Sequence, residues 1–257
     1  MRPSLIATAF LLAATARPAI PQQDFHWKGR IAAGKAIEIK GVNGDVSAVV
    51  GSGEAEVSAV KTAKRSDPAD VQIEVVEHED GVTICAMYPS DGRRENVCAP
   101  GRGGHMNVRD NDVRVHFTVK VPAGVQFVGK TVNGEVDVAN LASDVDVATV
   151  NGSIRISTSG YAEATTVNGS IVAAMGRADW RDGLEFTTVN GGITLDLPAS
   201  LSTEVRASTV NGDILSDFPL TVTGRLGPRR VNGTIGAGGR ELALSTVNGN
   251  IKLRKGS

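Results

Sequence analysis

One triplet constrains this chain more than any other feature. Val-Asn-Gly occurs eight times, with Asn at 43, 133, 151, 168, 190, 211, 232 and 248. From Asn133 onward the spacings are 18, 17, 22, 21, 21 and 16 residues, and recurrence at such a period marks an architecture built from stacked units. Six of the eight copies read Thr-Val-Asn-Gly; the other two begin Gly41-Val42 and Arg230-Val231. Two residues after each Gly stands Ile or Val: Val46, Val136, Ile154, Ile171, Ile193, Ile214, Ile235 and Ile251. Six and four residues before the Asn the chain is mostly apolar, as in Val145 and Val147, Ala162 and Ala164, or Leu242 and Leu244. This period-two alternation on both sides of the triplet predicts strand, turn, strand, each strand with one buried face.

Two all-β folds fit that pattern. Asn-Gly between alternating strands is a strong hairpin signal, so an antiparallel sheet of hairpins is one. The other is a parallel β-solenoid, or β-helix, with Val-Asn-Gly corners and an N-terminal β region or cap. A hairpin turn asks only for residues that accept positive φ and gives no reason to repeat Thr and Val before them. Stacked coils put equivalent residues above one another at about 4.8 Å, so the solenoid is the expected fold. Its corners are Asn133 and Gly134, Asn151 and Gly152, Asn168 and Gly169, Asn190 and Gly191, Asn211 and Gly212, Asn232 and Gly233, and Asn248 and Gly249. Repeated Val then predicts an interior column, and repeated Asn a hydrogen-bonded side-chain ladder. Seven coils from Asn133 would make a rod of about 30 Å. Glycine at the corner predicts positive φ, so Gly191→Val should destabilise.

Aromatic residues are scarce, at 4% of the chain, and glycine is abundant, with 30 copies. That mix suits thin layers of Val, Ile, Leu and Ala joined by many turns. The organisation expected is a signal peptide over 1–19, an N-terminal β region over 24–122 containing a disulfide loop, and solenoid repeats over 123–257. The signal reading rests on Arg2, the short apolar run Leu5 to Ala14 and the small residues Ala14-Thr15-Ala16. That run is well short of the roughly 20 residues of a membrane span, so no transmembrane segment is expected in the mature chain. Cys85 and Cys98 are the only two cysteines, and an oxidising compartment would favour their pairing. The formal charge of −1 leaves no basic field for nucleic acid or an anionic membrane.

The pattern Thr-Val-Asn-Gly-x-Ile-x-Leu resembles the repeats of the bacterial "putative adhesin" family, a domain of unknown function. Val113 to Val125, ending Val-Pro-Ala-Gly-Val, is similar to that family's mid-domain strand, and Ser245 to Ile251 to its C-terminal repeats. The resemblance covers most of the chain from about residue 35. It implies a bacterial β-solenoid, exported or membrane-associated, with no established activity.

The outer face carries the residues with candidate chemistry. Five residues before successive Asn come Asp146, Glu163, Glu185 and Arg206. If stacked, the three carboxylates would lie about 5 Å apart, near the separation of a retaining glycosidase pair. They are a candidate cation or glycan face, with a solvated charged face as the plain alternative. His26, His78, His105 and His116 show no ligand spacing, Asp110-Asn111-Asp112 lacks the later Gly and Glu of a calcium loop, and no Ser/His/Asp set can be assembled. No cofactor and no metal are expected. The sequence therefore predicts an exported, non-enzymatic binding or scaffold element whose partner is an envelope or surface protein or a glycan. The competing reading is a carbohydrate-active β-helix enzyme, a polysaccharide lyase or hydrolase, using Asp146, Glu163 and Glu185.

Overall fold

The computed structural model describes residues 24–90, 92, 94–180, 182–222 and 229–256. The expected signal peptide, 1–19, lies outside the described residues. The strands are β1 (Asp24–Gly29), β2 (Ala36–Lys40), β3 (Val46–Gly51), β4 (Ala55–Thr62), β5 (Gln72–His78), β6 (Gly81–Met87) and β7 (Arg114–Pro122). They continue as β8 (Gln126–Lys130), β9 (Val136–Leu141), β10 (Val145–Ala148), β11 (Ile154–Thr158), β12 (Ala162–Thr165), β13 (Ile171–Met175) and β14 (Leu184–Thr187). The last are β15 (Ile193–Leu197), β16 (Thr203–Ser208), β17 (Ile214–Ser216), β18 (Thr221–Val222), β19 (Arg230–Ile235), β20 (Glu241–Ser245) and β21 (Ile251–Lys255). A single 3-10 turn at Pro68–Asp70 is the one helical element among the described residues.

The strands form two long sheets. One runs β1-β4-β7-β3-β9-β11-β13-β15-β21-β17, the other β18-β19-β16-β20-β14-β12-β10-β8-β2-β6-β5. From β8 to β17 the chain alternates between them, so the two strands flanking a Val-Asn-Gly triplet lie in different sheets. Their neighbours within each sheet are parallel, as in Ile154↔Ile171 and Val145↔Ala162, except that β16 is antiparallel to β19. A hairpin would pair the two flanking strands with each other, so the triplets there are not hairpin turns. The inward residues of both sheets form one continuous core, from Ile37 through Phe127, Ile171 and Phe186 to Leu253. Alternation decides which residues enter it: β13 reads buried, exposed, buried over Ile171-Val172-Ala173.

Sequence order and stacking order differ at both ends. The level made by β2, Asn43 and β3 stacks beneath that of β8, Asn133 and β9, and residues 36–51 share the core of the later repeats. Between β3 and β8 the chain runs outward and doubles back. It places β6 and β7 parallel below that level and β4 and β5 antiparallel outside them, while β1, from ahead of β2, lies antiparallel on β4. At the other end the C-terminal pair β20 and β21 inserts between the levels of β14–β15 and β16–β17. The expectation that consecutive copies lie on one another is corrected here: the spatial order is 190, 248, 211.

The copy at Asn232 and Gly233 departs further. It lies inside β19, which pairs antiparallel with β16 and β18. Burial alternates straight through the triplet, with Val231, Gly233 and Ile235 inward. Asn232 and Gly233 therefore do not turn the chain between sheets.

Candidate functional site

Seven of the eight triplets meet along one edge of the stack. Asn43, Asn133, Asn151, Asn168, Asn190, Asn248 and Asn211 are joined in that order by parallel bridges. Six amide bonds at 2.8 Å link the seven side chains, the Nδ2 of every asparagine but Asn43 donating to the Oδ1 of a neighbour. In the six ladder triplets preceded by Thr, that residue is buried, and its hydroxyl donates to the Gly carbonyl of the neighbouring level. Examples are Thr149 to Gly134 at 2.9 Å, Thr188 to Gly169 at 2.9 Å and Thr246 to Gly191 at 2.8 Å. The Val points outward: Val132, Val150, Val167, Val189 and Val247 are 36–39% exposed and Val210 53%. The expected interior Val column is thus an exterior one, because Thr takes the inward position and satisfies a carbonyl there.

The glycines also serve a different purpose from the one anticipated. Of the ladder glycines only Gly44 has positive φ, at 119°. At Gly134, Gly152, Gly169, Gly191, Gly212 and Gly249 an added Cβ would stand 1.9–2.0 Å from the Gly carbonyl oxygen of the adjoining level. Close approach of two backbones, not a left-handed turn, excludes a side chain here.

On the adjoining sheet face, Asp146 and Glu163 are register partners, and Glu185 follows Glu163 one level on, its backbone N–H donating to Glu163 Oε1 at 3.3 Å. The column does not continue into Arg206. Ala243 of the inserted level stands opposite Glu185, and Arg206 lies beyond it, bonded instead to Glu241. Burial raises the Glu163 carboxyl above its ordinary range, reinforced by the charges of Asp146, Glu185 and Asp182. Burial likewise raises Asp146, with Lys130 opposing and Glu38 adding to the effect. Among the described residues no group of three or more His, Cys, Asp or Glu side chains converges as a metal site.

Glu163 borders a cleft of about 480 Å³ whose walls include Asp144, Tyr161, Arg177, Trp180 and Asp182. Arg177 lies 4.8 Å from the Tyr161 ring centroid and pairs with Asp179 at 3.0 Å. Trp180 is 5% exposed, so its ring serves the core rather than the cleft. The sequence offered only Tyr161 on this face; Arg177 and Trp180 arrive from the loop after β13, where no alternation announces them.

A second cleft, of about 630 Å³, opens where the segment after β6 meets the ladder at Asn43 and Asn133. The Cys85–Cys98 disulfide closes that segment. Beneath it, buried Glu38 accepts from Lys130 Nζ at 2.8 Å, Thr83 Oγ1 at 2.9 Å and the Gly101 N–H at 2.9 Å. Burial opposes the Glu38 charge, but these donors outweigh it and hold the carboxyl below its ordinary range. Lys40 Nζ donates to the carbonyls of Ala99, Gly101 and Gly103 at 2.5–3.0 Å. Glu38, Lys40 and Lys130 thus fasten the disulfide loop onto the sheet. None of the three stands out in the sequence; the one available signal is Lys where the later ladder copies carry Ala, Thr or Ser two residues before the Val.

No helix among the described residues is long and apolar enough to cross a membrane. No protein of curated function matches the chain. A "putative cell adhesion protein" of Clostridium sporogenes ATCC 15579 has a similar structure, with a TM-score of 0.51 at 10% identity, covering 91% of this chain and 100% of that one. A "putative adhesin" of Bacteroides fragilis NCTC 9343 aligns over 91% of this chain and 98% of its own at 12% identity and a TM-score of 0.37. The first shares the fold; the second is a looser likeness. With a family profile matching residues 20–254, the chain belongs to the Toastrack DUF4097 family.

Proposed function

We propose that this chain is an exported β-solenoid with Val-Asn-Gly corners and antiparallel strands as its N-terminal cap. It works without catalysis, as an adhesin-like binding or scaffold element of the bacterial envelope facing an envelope or surface protein or a glycan. The observation that carries the reading is the register of the stack. Seven equivalent residues recur along one edge, so weak contacts repeat at about 4.8 Å on a stiff frame. The disulfide supports export, since such bridges persist in oxidising compartments. The neighbour named for cell adhesion agrees with the reading without carrying it. Immobilised full chain should retain a discrete protein or glycan from envelope extract, and heat-denatured chain should not. Equal retention by both removes the reading.

One observation favours a carbohydrate-active enzyme instead. Asp146 and Glu163 are adjacent, and Glu163, whose carboxyl is raised as a general acid's would be, borders a cleft. Release of reducing ends or unsaturated products from a polysaccharide panel, abolished in Asp146→Asn and Glu163→Gln, would establish it.

A further inference from the structure

Over four successive levels the outward columns of the ladder edge hold no charged residue. Four outward positions recur in each level. The residue before the Thr is Ala148, Thr165, Thr187 or Ser245, paired in that order across the sheet. Next come the exposed valines 150, 167, 189 and 247, then the asparagines 151, 168, 190 and 248. The residue after the Gly is Ser153, Ser170, Gly192 or Asn250, again in line through backbone bonds. Charged residues make up 21% of the chain, yet they occupy these columns only at the ends, as Lys130 and Glu135 below and Asp213 above; at the strip's margin Glu185 accepts from the Thr187 hydroxyl at 2.8 Å.

The strip offers hydroxyls, amides and methyl groups at a regular rise of about 4.8 Å. In these four levels each asparagine uses one N–H and one lone pair on its neighbours, leaving a second N–H and a second lone pair. Between these donors and acceptors stands a row of Val methyls. Hydroxyl-rich rings with apolar C–H faces, linked in a regular line and bearing no charge, complement such a surface.

Other occupants fit less well. An extended peptide adds to a sheet through free backbone groups, but here the backbone is spent between levels, as in Asn168 N–H to the Val150 carbonyl and Gly152 N–H to the Asn168 carbonyl. A single column of partly exposed valines is far smaller than the roughly 800 Å² per partner of a stable complex, which disfavours a second copy. Polyanions require basic residues that the strip lacks.

Building on the envelope-binding reading above, we infer that the strip formed by the valine and asparagine columns is a binding site for a neutral, linear glycan chain lying along the stack. Isothermal titration of the full chain with hexasaccharides of linear β-1,4-glucan, α-1,4-glucan and β-1,4-mannan tests it, with oligogalacturonate and chitosan hexamers as charged comparisons. At least one neutral oligosaccharide should bind, and bind better than both charged ones. The double variant Val167→Lys, Val189→Lys should weaken that binding at least tenfold with an unchanged melting temperature, because both side chains already face solvent. Glu163→Gln with Glu185→Gln should leave it within twofold. No binding by any neutral oligosaccharide overturns the inference, as does binding that survives the lysines or is lost with the glutamines. A dimer in sedimentation that the lysines abolish would assign the strip to a second copy instead. Retention of an envelope component without neutral oligosaccharide binding sinks the glycan strip and leaves the broader reading standing.

Discussion

Gly191→Ala tests the close stacking of levels. The added methyl would stand 2.0 Å from the Gly169 oxygen, 2.5 Å from its carbon and 2.9 Å from Ser170 N. All three are backbone atoms held on both sides, so the levels must part. The bonds across this interface nearest the added methyl are Thr188 Oγ1 to the Gly169 carbonyl at 2.9 Å, Gly169 N–H to the Asn190 carbonyl at 3.0 Å, and Asn190 Nδ2 to Asn168 Oδ1 at 2.8 Å. Weakening them at about 1 kcal/mol each, with about 1–2 kcal/mol for overpacking, gives a loss of about 4 kcal/mol. For a chain of this size that lowers the melting temperature by about 8–16 °C. Gly183→Ala is the control, since its methyl would meet nothing nearer than the Glu241 carbonyl oxygen at 3.7 Å, and its melt should move by less than about 2 °C. Thermal melts by circular dichroism read both. A Gly191→Ala protein that melts with the wild type would refute the argument that backbone contact fixes this glycine.

Replacing Cys85 and Cys98 together by Ser should cost about 3 kcal/mol, from the entropy released in the unfolded loop, read as a lowered denaturation midpoint; an unchanged midpoint would mean that Glu38, Lys40 and Lys130 suffice to hold the loop. Acid titration should separate two carboxyls of opposite sign. Asp112, pushed down to about 2 by the backbone N–H groups of Ser66, Arg65 and Lys64, contributes stability present above the unfolded carboxyl range and lost as pH falls toward 2. Asp112→Asn should therefore flatten the acid limb of the melting curve against pH. Glu163, raised by burial and its acidic neighbours, keeps its proton to higher pH when folded than when unfolded, so stability falls as pH climbs through that interval. Glu163→Gln should remove the decline, and a steeper decline would count against the assigned environment. Deleting 241–257 should abolish cooperative folding, because β20 and β21 lie inside both sheets; a truncated chain that melts like the parent would place them at an end.

What the sequence made legible was local and periodic. Alternation around the triplets located the paired strands, as with Ile154 and Ile156 inward on β11, because a strand half-buried in a sheet has only two faces to choose between. The long-range order of levels was not legible. Every level presents nearly the same edge, so nothing local distinguishes a neighbour at 248 from one at 211. What decides is the chain after β17, which crosses to β19, lies antiparallel against β16, and leaves a gap that only the C-terminal pair can fill. The cleft residues Arg177 and Trp180 were hidden for a related reason: they sit in a loop, where no periodicity constrains them.

The absence of Thr from two triplets carried more information than the triplets themselves. Each ladder Thr donates across one interface, to a Gly carbonyl of the adjoining level: Thr131 to Gly44, Thr149 to Gly134, Thr166 to Gly152, Thr188 to Gly169, Thr246 to Gly191 and Thr209 to Gly249. Seven stacked triplets have six such interfaces, and six copies carry Thr. The first triplet has no triplet beneath it to receive the bond, so Gly41 can stand there. The other copy without Thr has Arg230 in its place. An arginine could not be buried at that point without leaving its charge and the waiting carbonyl unpaired. That segment runs instead through its Asn-Gly as ordinary strand. The rule that sorts the copies above the first is therefore hydrogen-bond satisfaction at a buried carbonyl: beyond Asn43, Asn-Gly marks a level where the residue before Val is a Thr that supplies the donor.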